Sequence, residues 1–378
     1  MTIEKVDPRQ FTSLAQCRER IDELDRELVA LLTERARVSE QVGRLKASTG
    51  ASVFAPTREA QVLENVQTAN GGPLPNAALR AIWIEIISSS SALQRPVRIG
   101  YLAPAGTFSH EAALSHEAAI RRFGRSAELV QAATLPEVVQ MRERDQIDYG
   151  VVPVENSLEG GVVPVLDALV DANVKVCAEI LWPIRLHLVS TGTLESITKV
   201  YCQRVALGQC RQWLANHLPH VEVVEVPATA RAIELATEPD VAGIGPEAAA
   251  EIYGRPILVR NIQDQANNFT RFLVVGDHIA QPTGRDKTGV VFAVRHRPGA
   301  LHDALRLLSD AGLNLTRIES RPSKRQTWEY VFFVDFQGHQ DDPAVAAALD
   351  QLRSESLFLK VLGSWPEERT LPDPVSDR

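Results

Sequence analysis

The chain has 378 residues, 44% of them hydrophobic and 23% charged, with a formal net charge of −8. That length exceeds what one core holds and implies two or three domains, in a composition ordinary for a globular protein. The negative balance argues against a nucleic-acid or anionic-membrane partner. The opening MTIEKVDPRQ has no apolar stretch of signal-peptide type, and no run of about 18 apolar residues occurs anywhere. Cys17, Cys177, Cys202 and Cys210 form no C-x-x-C pair or Cys/His cluster. The expectation is a reduced, cytoplasmic protein without a membrane span, disulfide, metal or cofactor.

Residues 1–96 read as all-helical. Apolar residues at Leu14, Cys17, Ile21, Leu24, Leu28, Leu31, Val38, Val42 and Leu45 make a heptad seam over about 30 residues. Pro56 and Pro75 stand where first helical turns begin, and Gly71-Gly72-Pro73 punctuates between two shorter helices. Arg35 interrupts the seam. It is either a snorkelling arginine or, with Lys46 on the same side about 16 Å further along, one of two cations that bracket a small dianion. In the third helix the stripe Leu79, Ile82, Trp83, Ile86, Ile87 runs on into Ser90 and Gln94. Polar groups on a buried face need partners, from a ligand, a second helix or water.

Residues 97–280 alternate strand and helix signals. Strands are expected at 97–101, 149–154, 184–190, 221–226 and 241–244, an open α/β arrangement of one domain or two lobes. Three polar segments lie along it: Gly106-Thr107-Phe108-Ser109, then Glu155-Asn156-Ser157-Leu158-Glu159-Gly160, then Asn267-Asn268-Phe269-Thr270-Arg271-Phe272, which leads into a strand at 272–275. Strand ends of this kind gather ligands in open α/β sheets, although each alone reads as an ordinary cap or turn.

Residues 281–378 begin with a linker, Gln281-Pro282-Thr283-Gly284-Arg285. A βαββαβ order follows, with strands expected at 289–294, 314–319, 330–336 and 358–362 and helices at 299–311 and 343–353, a ferredoxin-like module. Arg297-Pro298-Gly299-Ala300-Leu301-His302 stands between strand and helix, and Glu319-Ser320-Arg321-Pro322 ends a strand.

Arg18, Arg35, Lys46, Pro56-Thr57-Arg58-Glu59 and Gln94 fall at the spacings of the all-helical chorismate mutases, which residues 11–95 resemble. The resemblance implies a three-helix, intertwined-dimer domain that rearranges a dicarboxylate enol ether by conformational restraint and by stabilising charge on the ether oxygen. It implies Arg18 and Arg35 as carboxylate clamps, Lys46 and Gln94 as donors to the ether oxygen, Glu59 as acceptor from the hydroxyl, and Arg58 and Ser90 as further contacts. Ala55 departs from members with a second polar contact there. Arg18 lies about 25 Å from Arg35 along a straight helix, so a catalytic Arg18 has to come from a second copy; otherwise it sits on a solvated face.

The three polar segments resemble the GTFS, ENS-x-EG and TRF blocks of prephenate dehydratases. That family implies Thr270 as the central catalytic residue, with Thr107, Ser109, Glu155, Asn156, Ser157, Arg271 and Phe272 binding or orienting substrate. Gln203-Arg204-Val205 departs from a His-Pro-Gln run common there. Residues 287–366 resemble the ACT modules fused to such enzymes, which implies an L-phenylalanine site at Gly299, Ala300, Leu301, His302, Glu319, Ser320, Arg321 and Pro322, and a second contact between copies. Together these imply a homodimer or higher homo-oligomer that converts chorismate to prephenate and prephenate to phenylpyruvate under feedback control. Rival readings are a dehydratase whose helical domain only dimerises, a non-catalytic amino-acid-binding regulator, and a dehydratase for arogenate. No G-x-G-x-x-G follows a strand, which disfavours a dehydrogenase.

Overall fold

The heptad seam becomes one continuous helix, α1 (Leu14–Thr49), in the computed structural model, which describes residues 11–49, 56–93, 97–109, 127–322 and 330–368. Ser13 and Gln16 open it with a capping box: Ser13 Oγ accepts from Gln16 N and Gln16 Oε1 accepts from Ser13 N. The two prolines start α2 (Pro56–Ala69) and α3 (Asn76–Ala92) as expected. These three helices make one compact unit that ends at Val97, and a second starts at Arg98. With 36 residues α1 is about 54 Å long, against about 25 Å for the 17-residue α3. The short helices cannot cover it. Leu14, Ile21, Leu28, Leu31, Val38 and Leu45 stay more than half exposed, so within one chain the seam is a bare apolar stripe rather than a buried one. Among the described residues no helix is long and apolar enough to cross a membrane.

The second unit opens with β1 (Arg98–Leu102), β2 (Glu128–Ala132), α4 (Leu135–Glu143), β3 (Tyr149–Asn156), the short β4 (Gly160–Gly161), α5 (Val163–Asp171) and β5 (Lys175–Pro183). The chain then crosses into a second lobe with β6 (His187–Val189), β7 (Lys199–Gln203), α6 (Arg204–Gln209), α7 (Arg211–His217), β8 (Glu222–Val226), α8 (Thr229–Leu235), β9 (Val241–Gly245), α9 (Glu247–Ile252) and β10 (Ile257–Val259). It returns through β11 (Phe269–Gly276). The first lobe's sheet runs β2-β1-β3-β11-β5, with β4 beside β3, and the second lobe's runs β10-β6-β9-β7-β8. β1 lies parallel to β2 and β3, whereas β11 is antiparallel to both β3 and β5. The start of β11 therefore meets the end of β3.

Sequence reading missed β2, the short β4, β5, β7 and β10, and it began β11 at 272. Thr270 and Arg271 stand inside that strand, because β3 and β5 pair with it from both sides down to Thr270.

The last segment has the expected order, β12 (Asp286–Ala293), α10 (Ala300–Asp310), β13 (Leu315–Pro322), β14 (Tyr330–Gln337), α11 (Pro343–Glu355) and β15 (Phe358–Pro366), in an antiparallel sheet β13-β14-β12-β15. The alternation of strands puts Val290, Phe292, Val334 and Phe336 under the two helices. Val291, Ala293, Val331, Phe333 and Trp365 point the other way and join one core with Val152, Val154, Leu273 and Val275 of the first lobe. The linker is an ordered turn: Asp286 accepts from Thr283 N, Thr283 Oγ1 and Gly284 N. Lys360 Nζ donates to Leu169 O at 2.7 Å and Val170 O at 3.1 Å, at the end of α5.

β15 approaches β5 so closely that a Cβ on Gly363 would lie 2.1 Å from the backbone oxygen of Val176. Backbone cannot yield as a side chain does. Gly363→Ala is expected to cost about 3 kcal/mol or more, above the usual overpacking range, and to lower the denaturation midpoint of the second unit. An unchanged midpoint in urea would mean that the sheet is not seated there.

Candidate active sites

In the helical unit the two polar oddities find each other. Arg35 Nη1 donates to Ser90 Oγ, Ser90 Oγ donates to Ile86 O at 2.6 Å, and Ser39 Oγ donates to Ser90 O at 3.0 Å. Ser90 is 8% exposed, so its stripe position is satisfied by a second helix. Burial holds the Arg35 guanidinium below its ordinary pKa. Lys46 is half-buried, while Arg18 and Arg58 are exposed. Gln94, Ala55 and the side chain of Glu59 lie outside the described residues.

In the second unit, antiparallel pairing sets Thr270 opposite Asn156. Asn156 Nδ2 donates to Thr270 Oγ1 at 2.9 Å and to Asn268 Oδ1 at 2.9 Å. Its Oδ1 accepts from Leu158 N and Glu159 N, which shapes the turn into β4. Ser157 Oγ accepts from Phe269 N and donates to Asn267 O, tying the same turn to the start of β11. Thr270 is 8% exposed, and its oxygen is already engaged by a donor. Its own proton is therefore the group left to offer, and an accepted hydrogen bond makes a hydroxyl a stronger donor.

The GTFS segment follows β1 on the same edge of the sheet. Thr107 Oγ1 donates to Pro104 O at 3.0 Å, and Ser109 is buried. Gly106 has φ +83, and a Cβ there would lie 3.0 Å from Ala249 of the second lobe. Phe108 packs into that lobe's core. Asn268 Nδ2 also reaches across, donating to Gln209 Oε1 at 3.0 Å. The GTFS segment and Asn268 thus both contact the second lobe, and Asn156 ties the turn after β3 to Asn268.

Two side chains expected beside Thr270 as substrate contacts are placed elsewhere. Arg271 points to the opposite face, where Nε donates to Glu179 at 2.8 Å and Nη1 to Asp335 at 2.5 Å. Glu155 lies 3.1 Å from Arg317 Nε. The reason is strand alternation: neighbours of Thr270 and Asn156 face away from them. Phe272 shares Thr270's face but is 1% exposed, a core side chain beneath the site. Burial pushes the Glu179 carboxyl up, yet the Arg271 and Lys287 cations outweigh it and hold it below its ordinary value. Burial likewise opposes the Arg271 charge, and Asp335 and Glu179 more than restore it. Lys287 Nζ donates to Glu179 at 2.8 Å.

Sequence reasoning did not single out Gln209, Glu179, Asp335 or Arg317. A lone charge inside an apolar strand, as in Val176-Cys177-Ala178-Glu179-Ile180, was the available signal. The departing Gln203 caps α6, accepting from Val205 N and Ala206 N, and Cys202 is fully buried beside it.

In the effector blocks, Gly299 opens α10 in the left-handed region, φ +78, with no side-chain cap. Ala300 is buried, Leu301 is half-buried and His302 is exposed. Arg321, Val331 and Ala293 stand side by side across the sheet, so both blocks lie at one end of it. Glu319 and Arg321 are half-buried, whereas Ser320 and Pro322 are exposed. The Glu319 carboxylate would be 2.7 Å from a Cβ on Gly161.

A helical unit with a cation in its seam, a two-lobed α/β segment whose motif residues face one another and a ferredoxin-like module define a multidomain protein of enzyme type. The chain matches Chorismate mutase type II over residues 17–95, Prephenate dehydratase over 99–280 and the ACT domain over 288–354. It is 44% identical over 360 residues to the bifunctional chorismate mutase/prephenate dehydratase of Aquifex aeolicus, which covers 94% of this chain and 98% of that one. It is 40% identical over 362 residues to that of Stutzerimonas stutzeri, with the same shares covered. The crystal structure of an Arthrobacter aurescens prephenate dehydratase in complex with L-Phe superposes with a TM-score of 0.66 at 32% identity, covering 74% of this chain and 94% of that one. The chain belongs to the bifunctional chorismate mutase/prephenate dehydratase family. It is an enzyme of phenylalanine biosynthesis that rearranges chorismate to prephenate and converts prephenate to phenylpyruvate.

Asn268, itself 1% exposed, joins Asn156 to the second lobe, so Asn268→Ala would remove one hydrogen bond from each of two half-buried amides, Asn156 and Gln209. A loss of about 1–3 kcal/mol in stability is expected, with slowed dehydration and an unchanged mutase rate. Parallel assays of both steps check this, and equal loss of both would contradict it.

Proposed function

We propose that the two activities occupy separate sites with the following residue roles, within domains 1–96, 97–280 and 281–378. In the mutase site Arg35 and Arg18 clamp the substrate carboxylates, Lys46 and Gln94 donate to the ether oxygen, Glu59 accepts from the hydroxyl, and Arg58 and Ser90 complete the contacts. The observation that carries this is Arg35, a half-buried cation held in place by Ser90 within an otherwise apolar seam. Arg18 stands 17 residues up the same unbroken helix, so it serves the site of a second copy. The bare stripe from Leu14 to Leu45 supports the same homodimer.

In the dehydratase site Thr270 presents its proton to the departing ring hydroxyl, polarised by Asn156, and Thr107, Ser109 and Ser157 orient prephenate around it. Loss of CO2 makes the ring aromatic and supplies the driving force, so the residues need only position the substrate and help the hydroxyl leave. L-Phenylalanine is the feedback effector, bound by Gly299, Ala300, Leu301, His302, Glu319, Ser320, Arg321 and Pro322. The L-Phe complex of the Arthrobacter aurescens enzyme supports this, as does the uncapped start of α10. A cytoplasmic location is part of the reading, supported by four cysteines that are all free thiols.

Arg35→Ala should abolish mutase activity and leave prephenate dehydration in place. Mixing it with Arg18→Ala chains should restore about a quarter of the mutase activity, because half of the exchanged dimers are mixed and each carries one intact composite site. No restoration after subunit exchange would sink the shared site. For the effector, Gly299→Val puts a branched side chain at positive φ, a strain of about 1–2 kcal/mol at the helix start. L-Phenylalanine binding by calorimetry should weaken about tenfold, and undiminished affinity would place the effector elsewhere.

A further inference from the structure

A β-bulge sorts the residues of two motifs onto two faces of one sheet. Arg271 pairs with Glu155 but Phe272 pairs with Pro153, so Val154 is an extra residue in β3. The bulge leaves Asn156 on the Thr270 face. It turns Glu155 to the face that carries Arg271, Leu273 and Val275, which shares its core with the regulatory sheet. There β14 supplies Asp335, directly opposite Arg317 of β13, and both side chains reach back into the lobe. Arg271 is 11% exposed, lies 2.5 Å from Asp335, 2.8 Å from Glu179 and 4.0 Å from Glu155, and its guanidinium carbon stands 5.8 Å from the Trp365 ring centroid.

Charge separates binding from holding. Prephenate is a dianion, and an arginine that recognises it must offer unspent positive charge. Arg271 and Lys287 are matched by Glu179 and Asp335, so these four groups carry no net positive charge, although the buried Arg271 Nη2 lacks a hydrogen-bond partner among the described residues. We propose that Arg271 and Glu155 are positioning residues of the dehydration site, held from behind the sheet by Asp335 and Arg317 of the regulatory module, and that they fix β11 against β3 and so set the Thr270–Asn156 pair. The inference rests on the reading of Thr270 as the residue at the departing hydroxyl.

The test uses the full-length protein and steady-state dehydration of prephenate, with mutase turnover measured on the same samples. Arg271→Ala and Asp335→Asn should each lower kcat on the order of tenfold to a hundredfold, the scale of a misplaced reacting group. KM for prephenate should stay within about threefold. The double variant should be no slower than Arg271→Ala alone, because both changes break one contact. Arg271→Lys, which keeps a cation for Asp335, should recover part of kcat. Arg317→Gln, at the edge of the cluster, gives the same reading if Asp335→Asn does not fold: kcat falls and KM holds. The opposite pattern overturns the proposal. If Arg271→Ala raises KM tenfold or more while Asp335→Asn and Arg317→Gln leave kcat unchanged, Arg271 binds substrate. Thr270→Ala is the separate control: full dehydratase activity in that variant would remove the Thr270 reading itself, whatever the Asp335 result.

Discussion

The second unit is organised around a carboxylate that water does not reach. The Glu179 side chain is wholly buried on β5, and it keeps its charge chiefly because Arg271 from β11 and Lys287 from β12 meet it at 2.8 Å, with a further hydrogen bond from Glu368 N. A buried ion missing one partner costs about 3–5 kcal/mol, a large share of the 5–15 kcal/mol that stabilises a typical domain. The three strands must therefore arrive together. β11 is also the strand that carries Thr270, and β12 begins the regulatory sheet. One electrostatic requirement thus fixes β11 and the seat of the regulatory module in the same place.

The helical unit obeys a different constraint. Among the described residues its buried side chains are Ile84, Ser88 and Ser90 on α3, which do not make a core of ordinary size, and the apolar stripe of α1 faces outward. An apolar stripe of that length along a helix is stable only when covered, and among the described residues of one chain nothing covers it.

How much of this was legible depended on whether the signal was local. Heptad spacing, Pro56 and Pro75 located all three helices, because periodicity and the missing proline N–H act within a turn or two. The βαββαβ module was readable for the same reason. The two-lobed segment was harder. β5 carries Ala178 and Glu179, poor strand formers that sheet pairing overrides, and β11 joins partners between 86 and 125 residues away. At the site, Thr270 and Asn156 were reachable through motif resemblance, but their mutual hydrogen bond was not. Nor was the direction of Arg271: the resemblance placed it beside Thr270 in sequence, and in a strand that adjacency means opposite faces. Asp335 within Val331-Phe332-Phe333-Val334-Asp335 carried a sign of its role, a charge on the inward side of an apolar strand, without any indication of its partner.

The regulatory sheet is covered on both faces, by helices over one and by the lobe over the other, where apolar side chains surround the Asp335 and Arg317 ion pairs, and Gly363 lets β15 lie against the backbone of β5. Its inner face belongs to the lobe's own core, so the two have no solvent layer along which to slide. Module and lobe are then one cooperative folding unit, and any molecule that binds the native module adds RT ln(1 + [L]/Kd) to the stability of the lobe as well. Thermodynamic linkage between a ligand of the module and β11 is built into the packing itself, before any change of shape occurs.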